Sequence, residues 1–237
     1  MSQAPPRELD EESRALLRRI VERQAYRQLM AANIRGHGLK YVPEIEEKTA
    51  LARDLEASLA VLHEAVELHV RLGGSELEHA VRDQMERIPY PTTRLELAIC
   101  LALCDRAERV VAEGYAGSRS PELGAIARAL LAADRTATTR GEELFVGFCA
   151  EPGNRPAAQA LLSRWMTIAL YALGRPGTPG DARAVALGLR TKRVADVVRE
   201  FLRDVEPLIA GCKLAMPDLA ALGIELPTAA TGAGRKA

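Results

Sequence analysis

Hydrophobic positions recur at every third or fourth residue along most of this chain, and nowhere do they alternate with polar ones for long. Leu16, Leu17, Ile20, Tyr26, Leu29 and Met30 follow this spacing and predict a helix over residues 9–33. Gly36 and Gly38 then loosen the chain, and Pro43 opens a second long helix over 43–72 that carries Leu51, Leu55, Leu59, Leu62, Val66 and Val70. Gly73-Gly74 ends it, because glycine enters the left-handed conformation without a Cβ clash. Two sequences of the capping-box type follow. Ser75-x-x-Glu78 predicts a short helix to about residue 87, closed by Pro89 and Pro91, and Thr93-x-x-Glu96 starts a helix over 93–116. Ser120-Pro121 places a capping hydroxyl before a first-turn proline and opens a helix over 121–149. Helices over 156–173, 181–188 and 194–212 complete the set, with a proline- and glycine-rich loop at 174–180. The pattern predicts an all-α fold.

Composition agrees. Ala and Leu dominate the apolar set and only nine of 237 residues are aromatic, which favours helix over strand. The length suits one domain with a large core, expected over 1–227, followed by a disordered tail at 228–237 where apolar periodicity stops. With 32 basic against 32 acidic side chains, the chain is not one that grips nucleic acid or an acidic membrane by bulk charge. The most apolar run, 97–104, is too short to span a bilayer, and the N-terminal stretch has no apolar leader, so a cytoplasmic protein is expected. Cys100, Cys104, Cys149 and Cys212 form no C-x-x-C and read as buried thiols.

Four of the predicted helices are long, and the short 75–87 helix lengthens the connection between the second and third. A helix pair, a crossover and a second helix pair make the ferritin-like four-helix arrangement, here with additional C-terminal helices.

Several local stretches carry a resemblance. Ala31-Ala32-Asn33-Ile34-Arg35-Gly36, Lys48 and Leu72-Gly73 form one set. Trp165 through Ala169-Leu170-Tyr171, Gly174-Arg175-Pro176-Gly177, Gly188-Leu189-Arg190 and Pro217-Asp218-Leu219 form another. Together they resemble the phenylacetate-catabolism family, specifically the ferritin-like catalytic subunit that epoxidises phenylacetyl-CoA. The resemblance spans roughly residues 20–225 and implies a bundle whose interior carboxylates and histidines hold two iron ions.

Placed residue by residue, those ligands are degraded. The first-helix Glu falls near Asn33, the second-helix Glu-x-x-His on Glu56 to Leu59, and the fourth-helix motif on Asp134 to Ala137, so Leu59 and Ala137 replace histidines. Asp105 and Glu108 are the carboxylates available in the third helix. The only histidines are His37, His63, His69 and His79, so the second half of the bundle offers no imidazole and a symmetrical two-histidine di-iron site is excluded on this chain. A rebuilt site would draw on Glu56, His63, Glu67, Asp105 and Asp134. Against it, residues 63–69 read as a solvated helix face with i,i+4 polar pairs, and Asp105 and Asp134 as surface charges or remodelled interior carboxylates. Arg190, Lys192 and Arg193 form a basic turn that either meets the phosphates of a coenzyme A ester or is solvated.

Three functions follow as expectations. The first is a ferritin-like protein without a conventional metal site or other cofactor, serving as a structural or regulatory partner or binding an acyl-CoA-like or apolar ligand. Asn33, Leu59 and Ala137 would then point inward and pack. The second is an iron or manganese oxygenase or oxidase in which Glu56, Asp105 and Asp134 converge; an all-carboxylate site suits manganese better. The third is a dimerising helical adaptor without chemistry. Each implies a homo-oligomer or a helical protein partner.

Overall fold

The computed structural model describes residues 10–75, 77 and 89–221, with residues 134–137 and 139 by their helical backbone alone. Apart from Ser75 and Leu77, the crossover helix expected over 75–87 lies outside the described residues, as do His79 and the 228–237 tail. Among the described residues there are seven α-helices and no strand: α1 (Glu11–Gly38), α2 (Ile45–Arg71), α3 (Arg94–Ala116), α4 (Pro121–Ala150), α5 (Arg155–Leu173), α6 (Pro179–Ala186) and α7 (Val194–Gly211).

Local chemistry sets several of the starts. The Asp10 carboxylate accepts from the Ser13 N–H at 2.7 Å, and the Ser120 hydroxyl accepts from the Leu123 N–H at 3.3 Å. Thr93 caps α3 by accepting from the Glu96 N–H at 3.1 Å, but Glu96 reaches back to Thr92, not to Thr93. α1 runs past its expected end at 33, and Gly36 does not break it. Ile34 and Arg35 are both buried, so packing on this last turn outweighs the propensity cost of the glycine.

α1 packs along α2 and α3 along α4, each pair antiparallel; α2 also meets α4, and α5 and α7 cover further sides of α3. α3 is therefore buried almost all round. Two glycines permit the close approaches. A Cβ on Gly141 would lie 2.7 Å from the Ala102 backbone nitrogen, and one on Gly38 would lie 2.8 Å from a Leu97 methyl. Trp165 on α5 is fully buried, and its indole N–H donates to Glu96 at 3.1 Å, which ties α5 to the first turn of α3.

The face of α2 that looks inward differs from the expected one. Leu51, Ser58, Val61, Ala65 and Leu68 are buried, whereas Leu59 and Val70 are exposed. Leu59 therefore does not pack inward. The small side chains of Ser58 and Ala65 let α2 approach its neighbours closely, and the larger Leu59 is turned outward. No helix among the described residues is long and apolar enough to cross a membrane.

Candidate functional site

Between the four long helices lies a layer of paired charges. Arg35 near the end of α1 donates through Nη2 to Asp105 Oδ1 on α3 at 2.8 Å, and through Nη1 to the Ser58 hydroxyl on α2 at 3.1 Å. Ser58 in turn donates to the Asp54 carbonyl at 2.9 Å. The Asp54 carboxylate sits 3.3 Å from Arg140 Nε on α4, so the chain of contacts reaches all four helices. Two turns away along α1, Arg27 Nε lies 3.1 Å from Glu108, which also accepts from the Gln24 amide. On the far side of α3, Arg106 pairs with Glu142 and donates to the Asp204 carbonyl at 2.9 Å.

The energetics of this layer centre on Asp105. Burial pushes its carboxyl up to about 6; the Arg35 guanidinium pulls it back down, while Asp54 and Glu108 push it further up. Each interior carboxylate thus has a guanidinium beside it, supplying the positive charge that desolvated carboxylates require. Glu96 is a separate buried carboxylate. Burial raises it, but hydrogen bonds from the Thr92 hydroxyl and N–H and from Trp165 outweigh that and hold it below its ordinary value.

Of the residues proposed as a rebuilt metal site, Glu56, His63 and Glu67 are not brought to Asp105. Glu56, His63 and Glu67 are exposed on the outer face of α2, where His63 Nε2 lies 3.2 Å from Glu67 and Arg71 lies 3.6 Å from the same carboxylate. That is the solvated face with i,i+4 pairs. His69, on the last turn of that stretch, departs from it and is buried. Asp105 is interior and engaged by Arg35, so it is not a surface charge. Asn33 is half-buried; of Asp134 and Ala137 only the backbone on α4 is described. Among the described residues no group of three His, Cys, Asp or Glu side chains is placed to hold a metal ion.

The basic turn is also built otherwise than expected. Arg190 is buried, lies 5.2 Å above the Tyr115 ring and 3.5 Å from Asp181, whose carboxylate also accepts from the Val194 N–H at 2.9 Å. It locks the start of α7 to α6 and α3 and is not solvated. Lys192 pairs with Glu200 at 2.7 Å, and Arg193 is exposed at the N-terminus of α7, so the three do not converge on one anion. The thiols of Cys100, Cys149 and Cys212 are buried, and Cys104 is half-buried.

The sequence pattern assigned no site role to Arg27, Asp54, Ser58 or Arg140, and Arg35 stood only within the stretch that carries the resemblance. A signal was present: the stripe Leu17, Val21, Gln24, Gln28, Arg35 begins apolar and continues polar on one helix face, which marks polar residues facing inward. No protein-family model and no curated protein sequence matches this chain.

Proposed function

We propose that this chain is a ferritin-like bundle whose interior is held by guanidinium–carboxylate pairs in place of metal ions, and that it acts as a non-catalytic structural or regulatory partner. One observation carries the reading: the Arg35–Asp105 pair at 2.8 Å, braced by Ser58, with Arg140 on Asp54 beside it. A dication would be repelled by the two guanidinium groups and would have to displace one to reach either carboxylate. The donor set therefore does not fit an iron or manganese pair. The outward position of Glu56 and His63 supports the same conclusion, and the engagement of Arg190 and Lys192 with carboxylates of the same chain shifts the weight from an acyl-CoA ligand to a protein partner.

The test is elemental analysis of protein expressed with iron and manganese supplied and purified without chelator. Less than about a tenth of an equivalent per chain is expected. One to two equivalents, lost in Asp105→Ala, would overturn the reading and mean that the arginines yield to metal.

A further inference from the structure

Two cysteines far apart in the sequence meet where α4 and α7 end. Cys149 stands on the last turn of α4, and Cys212 is the residue that closes α7. Each is 2% exposed, and their side chains hydrogen-bond each other. The backbone around both is held. Arg155 Nε donates to the Cys149 carbonyl at 2.9 Å, and the Cys212 N–H donates to the Leu208 carbonyl at 3.0 Å. Just beyond, Ala215 exchanges two hydrogen bonds with Gln159 on α5, at 2.8 and 3.0 Å. Cys100 and Cys104 also hydrogen-bond, but they lie one turn apart on α3. Cβ atoms at that spacing stand about 5–6 Å apart, whereas a disulfide needs about 3.5–4.5 Å, so an intact helix keeps that pair open. Cys149 and Cys212 come from two different elements, each at its end, and carry no such constraint.

We propose that Cys149 and Cys212 are a redox-sensitive pair, which hydrogen peroxide converts to a disulfide that staples the end of α7 to the end of α4. In the reduced chain burial holds both thiols above their ordinary range, Cys212 up to about 12, so the packed pair is unreactive. Gly211 and Lys213 on either side of Cys212 are exposed, so an opening of this last turn is what admits the oxidant. The hydrogen bond from Cys212 and the Arg155 guanidinium favour the Cys149 anion, which makes Cys149 the attacking sulfur. It takes one peroxide oxygen, the O–O bond breaks, and the other oxygen leaves as water with the Cys149 proton. The Cys212 sulfur then displaces the bound oxygen, which leaves as a second water with the Cys212 proton as the S–S bond forms. Two thiols give up two electrons and two protons, and one peroxide is reduced to two waters. α7 meets α4 only briefly and rests chiefly on α3, so the new bond adds a covalent tie where packing is thin. None of this depends on what fills the bundle interior, so it and the metal-free reading fail separately.

The test treats the full chain with hydrogen peroxide, removes the excess and counts thiols in denaturant. The count should fall from four to two, and a tryptic digest without reductant should contain the Cys149 peptide joined to the Cys212 peptide. Tying down so long a loop should raise the melting temperature by at least about 5 °C, and dithiothreitol should reverse the rise. Cys149→Ala and Cys212→Ala should each abolish the rise, whereas Cys104→Ala should keep it. A thiol count that stays at four overturns the proposal, as do cysteine peptides that carry added oxygen in place of the link. An oxidised chain that melts no higher than the reduced one, or a link made through Cys100 or Cys104, overturns it equally.

Discussion

Arg35 and Asp105 show how a single buried pair governs the interior. Taking two charges out of water costs several kcal/mol per ion, and attraction offsets this only where the remaining donors and acceptors are also met. Arg35 meets Ser58 as well as Asp105, so its removal strands the carboxylate. Arg35→Met is expected to lower the stability at about pH 8 by about 3–5 kcal/mol, read from urea unfolding. The pH dependence has a definite sign. The folded-state pKa of Asp105 already lies above its ordinary 3.8, at about 6, and losing the guanidinium raises it further. Such a group favours the folded state below its unfolded value and loses that contribution as pH rises through the folded one. The deficit of Arg35→Met should therefore shrink between about pH 8 and about pH 5; a constant deficit would assign it to lost packing. His69 behaves oppositely. It is 2% exposed, and neither ring nitrogen has a hydrogen-bond partner among the described residues. Burial lowers its pKa below 6.5 against an upward pull from Glu22, with Arg18 adding to the lowering. Its contribution is complete above 6.5 and lost as pH falls through the folded value. His69→Leu should lose less stability than the natural chain between about pH 7.5 and about pH 5, and equal losses would refute this.

Elements were legible where local chemistry decides them. The capping hydroxyls of Thr93 and Ser120 fixed two helix starts to within a residue, because the orphan N–H groups of a first turn need a nearby acceptor. The face a helix buries was harder to read. On α2 the leucines suggest one stripe, yet burial follows Leu51, Ser58, Val61, Ala65 and Leu68. Side-chain size decides here: small residues allow the closest approach between helices, and hydrophobicity alone does not report distance. Gly141 makes the same point between α3 and α4. In an isolated helix Gly141→Ala gains up to about 1 kcal/mol of propensity. Here the new methyl would meet the Ala102 nitrogen at 2.7 Å and the Leu101 carbonyl carbon at 2.8 Å, both backbone atoms that cannot step aside. The substitution is expected to destabilise by about 1–3 kcal/mol, seen as a lower melting temperature. A rise would mean that the helices can separate freely.

At the scale of the molecule, one contiguous hydrophobic core joins the long helices to α5 and α7, and the only tryptophan, Trp165, lies inside it. Unfolding followed by Trp165 fluorescence and by helical circular dichroism should therefore give a single coincident midpoint. Two separated transitions would show that α5 to α7 fold apart from the bundle. The sequence by itself determined that the chain is helical, where most helices begin and end, and that two histidines cannot face each other across the two halves of a bundle. These follow from periodicity, caps and a count of side chains, all of which are local or independent of fold. Only the tertiary structure decided which carboxylates are interior, that Glu56 and Leu59 point outward, and that Arg35 and Arg140 point in. An arginine looks the same in sequence whether water or an aspartate two helices away satisfies it, because that choice depends on the rotation of each helix about its axis. Packing sets that rotation through small residues on the contacting faces.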